Sequence, residues 1–399
     1  MNDIEKISVK INQAKDLLRE NRLLEAKKIC LNIYNNHNKN YEIINLLGII
    51  ELNLENYEIS LKYFNEAINL NSSDEKIYNN LGILNYKIGK IDNAVNYFKK
   101  AIEIDKNSIN PYKNLGKIKL SQNDYKEAKI NFEKVLKIDE KNLEALLSLS
   151  DILFAEKKYL EAKKKLYKII ELKPNFFQAY NNLGNIEMEL NENENALKNL
   201  IKSNEIKENK AAFNNIGLIY KKKKNFDLAI TYFNKALNLD SNYLESLYNL
   251  GIVHIQINKF ENAIEYFKSI LEIDKNYPRV LGKIIHCERL ICKWDNHEKK
   301  IEKLKENILK NKNCIAPWEA ISVFDSQEVQ LKTAETWIKN NFIEQKVSKN
   351  LNLNNKKIKI GYFSSDFFRS AVATQIVEMI ELHNKEKFDV IGFSLINKK

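Results

Sequence analysis

Residues 75–108 read EKIYNNLGILNYKIGKIDNAVNYFKKAIEIDKNS, and this stretch decides the fold. Leu81 and Gly82 fall on a first helical pattern; Ala94, twelve residues after the glycine, and Phe98, four further on, fall on a second. Outward in both directions the same arrangement returns. Gly48, Gly82, Gly116, Ser150, Gly184, Gly217 and Gly251 recur every 34 residues, with a single interval of 33. Just before them stand Leu47, Leu81, Leu115, Leu149, Leu183, Ile216 and Leu250. Ser60, Ala94, Ala128, Ala162, Ala196, Ala229 and Ala263 follow twelve residues later, and Phe64, Phe98, Phe132, Leu166, Leu200, Phe233 and Phe267 four after that. Ala14, Ala26 and Cys30 carry the register one repeat toward the N-terminus.

The period and the Leu-Gly…Ala-x3-Phe pattern resemble the tetratricopeptide repeat. A small residue on one helix facing Ala on the next lets the two axes approach, and the Phe or Leu a turn later fills the gap to the following repeat. No single pair can bury its apolar face, so the pairs are expected to stack into a superhelix, an α-solenoid with a concave groove. About eight repeats occupy residues 1–277, and Pro278 can open a ninth, degenerate pair within a helical junction at 278–342. Residues 343–357, rich in Lys and Asn, read as a linker.

Two residues before the small position stand Asn80, Asn114, Asn182, Asn215 and Asn249; the other two full repeats carry Leu46 and Ser148 there. With roughly one residue in seven an asparagine, about one such coincidence in seven repeats is expected, not five. Each amide offers one acceptor and two donors, which suits it to the main chain of an extended peptide. A solvated face in an Asn-rich protein is the alternative reading, and it covers Asn79, Asn181 and Asn214 well.

The net charge of +11 comes almost wholly from scattered Lys; Arg is confined to positions 19, 22, 279, 289 and 369. Arg dominates specific base contacts, so the excess reads as a solvated surface and no nucleic-acid partner is expected. MNDIEKISVKINQAKDLLRE lacks the apolar segment of a secretory signal, and no apolar run is long enough to span a bilayer. Four cysteines without a CxxC pair fit a reduced, cytoplasmic protein. His286, Cys287, Cys292 and His297, with Cys314 beyond, invite a zinc reading, but side chains so spaced on one helix do not converge, and no metal is expected. Trp294, Trp318 and Trp337 all fall after the repeats and are expected to pack the junction.

The end of the chain changes character. Lys357–Leu395, KIKIGYFSSDFFRSAVATQIVEMIELHNKEKFDVIGFSL, alternates an apolar run, a polar turn, a helical pattern and a second apolar run, the first β-α-β unit of a Rossmann-like sheet. Three segments in order, ICKW with NHEKKIEKL, PWEAISVFDSQEVQLKTAE, and IKIGYFSSDFF…ELHNKEKFDVIGFSL, resemble the SPINDLY-like O-linked N-acetylglucosamine transferases, glycosyltransferase family 41. The asparagine line is similar to that family's peptide-holding ladder. The resemblance implies metal-free transfer of N-acetylglucosamine from UDP-GlcNAc to Ser or Thr of protein substrates. It makes residues 358–399 the incomplete start of an N-terminal catalytic lobe, with Asp366, Arg369, Ser370 and Thr374 at its active-site loop. Ser370 stands where the family usually has His, and a hydroxyl is no base near neutral pH. His383 reads as structural. The family's UDP site lies mostly in a later lobe, so these 399 residues alone are expected to be inactive. The competing reading is a non-catalytic scaffold that binds extended peptide segments.

Overall fold

The computed structural model describes residues 3–36, 40–341, 358–364 and 388–394. The chain divides into two units, Met1–Thr333 and Ala334–Lys399. Antiparallel helix pairs build the first: α1 (Asp3–Arg19) with α2 (Leu23–Asn36), α3 (Tyr41–Asn53) with α4 (Tyr57–Leu70), α5 (Glu75–Lys87) with α6 (Ile91–Ile104), and α7 (Ile109–Ser121) with α8 (Tyr125–Ile138). The series continues with α9 (Leu143–Ala155) and α10 (Tyr159–Leu172), α11 (Phe177–Glu189) and α12 (Asn193–Ile206), and α13 (Lys210–Lys222) and α14 (Phe226–Leu239). It ends with α15 (Leu244–Gln256) and α16 (Phe260–Ile273), then α17 (Val280–Leu290) and α18 (His297–Leu309). A short α19 (Pro317–Ile321) and α20 (Gln327–Asn341) follow in the chain.

Local chemistry sets these boundaries. Asn40, Asp74, Asn142 and Asn209 cap first helices by accepting from backbone N–H groups one or two residues into the helix. Each pair has a left-handed residue in its turn, seven positions after the small-residue site: Asn21, Glu55, Gly89, Asn123, Lys157, Asn191, Lys224, Asn258 and Cys292, the last joined in its turn by a second, Asn296. Asparagine takes this conformation at less cost than other side chains, and glycine serves only at position 89. Cys292 lies seven residues beyond Ile285, so the ninth pair keeps the register with Ile285 in the glycine's place.

Packing explains the repeat. A Cβ added to Gly48, Gly82, Gly116, Gly217 or Gly251 would lie 2.4–2.7 Å from the ring of the Phe sixteen residues later, and each ring is buried. Gly184 stands as close to Leu200, and Ser150 takes the glycine's place opposite Leu166, the smaller side chain. Ser60, where other repeats have Ala, donates its hydroxyl to the Gly48 carbonyl at 2.7 Å. Rings then reach the next repeat: Phe64 and Ala67 form one core with Ile77, Leu81 and Leu84. Burial of each Phe is worth about 2–3 kcal/mol.

Three carboxylates also enter the packed layer at one register position, three residues after the small-residue site. Glu51, Glu187 and Glu288 are 1–2% exposed. Lys27 reaches Glu51 at 2.7 Å, Lys163 reaches Glu187 at 3.2 Å, and Lys300 reaches Glu288 at 2.7 Å. Amide N–H groups of Asn56 and Asn199 donate to Glu51 and Glu187 at 2.8 and 2.7 Å.

Beyond α16 the junction differs from expectation. Trp294 is 55% exposed and Trp318 60% exposed, so these two do not fill its core, whereas Trp337 is half-buried. Its core is Ile285, Leu304, Ile308, Cys314, Ile315, Ala320, Phe324 and Val329. Gly282 lets the segment 313–315 lie directly on α17: its N–H donates to the Cys314 carbonyl at 3.0 Å, and a Cβ there would meet Ile315 at 2.7 Å. Cys30, Cys287 and Cys314 are buried thiols, pushed by desolvation to about 11, about 12 and about 11, whereas Cys292 is exposed. Among the described residues no three His, Cys, Asp or Glu side chains are grouped to hold a metal.

In the second unit β1 (Ile358–Ser364) and β2 (Phe388–Ser394) pair in parallel, in register from Ile358 opposite Phe388 to Ser364 opposite Ser394. The expected helix between them, and with it Asp366, Arg369, Ser370, Thr374 and His383, lies outside the described residues, as does the 343–357 linker. Two paired strands do not make a Rossmann-like lobe; the architecture described is the helical array. Among the described residues no helix is long and apolar enough to cross a membrane.

Candidate functional site

First helices of successive pairs approach one another along most of the array, from α1 and α3 to α13 and α15, more closely than the second helices do. The array therefore curves with first helices on its inner face. All five sequence-predicted asparagines stand there, and each binds the preceding first helix. Nδ2 of Asn80 donates to Asn45 Oδ1, Asn114 to Asn79 and Asn249 to Asn214, all at 3.0 Å. Asn182 donates to Asp151 and Asn215 to Asn185, both at 2.7 Å. Asn79 and Asn214 are thus acceptors in the line and not merely a solvated face. Each −2 amide spends one N–H on the array and retains a second N–H; Asn182 and Asn215 also accept from the adjacent Asn181 and Asn214 at 3.2 and 3.4 Å, and Asn249 accepts from Lys221 Nζ at 3.0 Å. Burial lowers the Lys221 ammonium from its usual range.

Where the −2 asparagine is missing, ion pairs cross instead. Leu46 occupies the position on α3, and there Lys15 on α1 reaches Glu42 on α3 at 2.6 Å. Ser148 occupies it on α9, and Lys113 and Lys117 on α7 both pair with Glu144 on α9. Lys15 and Lys117 share one register position, directly after the small residue, and Glu42 and Glu144 share another, six before it.

Two cavities open between first helices at one register. Between α5 and α7, Ile83, Tyr86, Phe98, Asn114, Lys117 and Ile118 line about 130 Å³. Between α9 and α11, Ser150, Asp151, Phe154, Asn182, Asn185 and Ile186 line about 60 Å³. Each has an aromatic four residues after the small residue and a −2 asparagine from the next repeat. Asp151 is open to solvent by surface area, yet neighbouring helices displace enough water to push its carboxyl up to about 6. Sequence reading missed Tyr86, Lys117, Asp151, Phe154 and Lys221. Steps of three residues from the −2 asparagine, along one helix face, were the signal that pointed to them.

Asp151 gives a direct pH test. Its folded-state pKa lies above the ordinary 3.8, so folding favours the protonated form. The benefit is complete below about pH 4 and is lost as pH rises through about 6. Asp151→Asn is expected to raise stability at pH 7.5 by up to about 1 kcal/mol, water screening part of the charge, and to change nothing at pH 3.5. Thermal melts at the two pH values measure this; equal shifts at both would contradict it.

Family models described as Tetratricopeptide repeat match residues 40–107, 77–141 and 208–276, and a further one matches 177–210, together about half of the chain. No curated protein matches. Among solved structures, the APC/C hetero-tetramer Cut9–Hcn1 is similar at 17% identity and a TM-score of 0.53. That match covers 72% of this chain and 57% of that one, so the chain spans little more than half its length. A tetratricopeptide repeat protein from Parabacteroides merdae ATCC 43184 is 17% identical over 62% of this chain and 99% of its own, with a TM-score of 0.46. YrrB, described as a TPR protein with an unusual peptide-binding site, is 22% identical over 48% of this chain and 97% of its own, with a TM-score of 0.37. At 17% identity the likeness to Cut9–Hcn1 is one of fold. With the 34-residue register, the Gly–Phe contacts and the family-model matches in hand, the chain belongs to the tetratricopeptide-repeat proteins.

Proposed function

We propose that the protein binds extended segments of other proteins along the inner face of its repeats. One observation carries the reading: the cavities at α5/α7 and α9/α11 repeat a single register, each combining a −2 amide with an aromatic wall. Amides recognise main chain and the cavities take side chains, so a strand-like segment, whose side chains on one face recur every second residue, suits the surface. Selecting a displayed library of random twelve-residue peptides on the immobilised full chain tests this. Retention is expected, and it should fall about tenfold or more for a variant carrying Asn114→Ala, Asn182→Ala and Asn215→Ala. The variant should stay folded by circular dichroism, although each lost hydrogen bond costs the array about 1 kcal/mol. No retained peptide, or equal retention by the variant, would sink the proposal.

A second reading, O-linked N-acetylglucosamine transfer from UDP-GlcNAc, is favoured by the parallel β1–β2 pair together with the sequence Ser364-Ser365-Asp366-Phe367. Adjacent parallel strands also open the first unit of a sugar-nucleotide lobe. In this reading the groove presents the protein substrate, with UDP-GlcNAc as donor and no metal. UDP binding by the protein is the measurement, and a flat calorimetric titration would exclude it.

A further inference from the structure

The two cavities share a register but not a charge. At the position directly after the small residue, the first wall carries Ile83 in the α5/α7 cavity and Asp151 in the α9/α11 cavity, and the second wall carries Lys117 and Asn185. Lys117 is neutralised by Glu144. Asp151 has no ion pair among the described residues; it accepts one N–H, from Asn182. A carboxylate crowded by protein and without a cation, in a chain of net charge +11, is an acceptor left for a positive group. Phe154 adds an aromatic wall, which also attracts a cation. About 60 Å³ holds an ammonium and its last methylene, whereas the larger cavity, walled by Ile83, Tyr86 and Phe98, suits an apolar side chain.

From this we infer that the bound segment places a lysine side chain in the Asp151–Phe154 cavity and an apolar side chain in the Ile83–Tyr86 cavity. The inference rests on the peptide-binding reading and adds its sequence preference. First helices stack at roughly 8–10 Å, so cavities two repeats apart lie about 20 Å from each other. An extended chain covers that in about six residues, an even number that returns both side chains to one face.

The library selection tests it when run on the wild type, Asp151→Asn and Asp151→Lys, each checked for folding by circular dichroism. Wild-type pools should be enriched in lysine about six residues from an apolar residue. Asp151→Asn should abolish the lysine enrichment while keeping the apolar one, and Asp151→Lys should replace lysine with Asp or Glu. A selected peptide, synthesised and titrated by fluorescence polarisation, should lose about tenfold in affinity on Lys→Gln. Enriched pools without lysine, or the same lysine enrichment in Asp151→Asn, overturn this inference and leave the groove reading standing. No enrichment in any pool overturns both.

Discussion

Gly82→Ser should destabilise the protein by about 3 kcal/mol, and adding Phe98→Leu should restore most of that loss. The serine Cβ would sit 2.4 Å from the Phe98 ring, which is buried against α5 and cannot swing clear. Overpacking of this kind costs about 1–3 kcal/mol, and a buried hydroxyl needing a partner brings the effect to the upper end. Phe98→Leu alone should cost about 1–2 kcal/mol by leaving a cavity. The double variant recreates the Ser150–Leu166 pairing that the chain already tolerates in its fifth repeat. A coupling near 3 kcal/mol in a denaturation cycle is the expected result. Additive losses would mean that the helices separate rather than repack. Because each repeat leans only on its neighbours, hydrogen exchange should accelerate most in α4 to α7.

Lys163→Met should cost about 3–5 kcal/mol, more than a surface ion pair could. Glu187 is 2% exposed, and Lys163 is the cation that the structure gives it. Removing the ammonium strands the carboxylate with one amide N–H, from Asn199 at 2.7 Å. Broken buried pairs cost this much because the remaining charge is desolvated, not because the bond itself was strong. Lys163→Met with Glu187→Leu should therefore be far less destabilised than Lys163→Met alone. Urea melts of the three variants decide it; a double variant as unstable as Lys163→Met would show that packing, not the stranded charge, sets the loss.

How far the sequence could be read follows from what its spacing encodes. Gly82 and Phe98 meet because a 34-residue period fixes which side chains face each other, so the helical array was legible at once. The inner-face location of Asn80 and Asn114 followed from the same period, but their mutual hydrogen bonds did not. Whether an amide points at its neighbour or at solvent depends on helix separation, which no single repeat reveals. Asp151 and Lys117 were passed over because one charged residue among many carries no signal until its register mate bears the opposite sign. Tryptophan misled in the other direction: large apolar area suggested burial, yet Gly282 admits Ile315 to the junction and Trp294 and Trp318 stay outside.

The exchange of amides for ion pairs along the inner face has a mechanical consequence. Neutral hydrogen bonds are nearly indifferent to electrolyte, whereas Lys15–Glu42 and Lys117–Glu144 are solvent-exposed and weaken as the Debye length shrinks to about 3 Å at 1 M salt. The solenoid is thus a spring of uneven stiffness, with one electrolyte-sensitive joint near its end and another at α7/α9. The second joint lies between the two proposed side-chain cavities, so the span a bound segment must bridge is set partly by the ionic strength around it. Small-angle scattering should show the array straightening between 0.05 and 1 M salt; Glu144→Gln should blunt the change, and an identical profile at both salts would refute it.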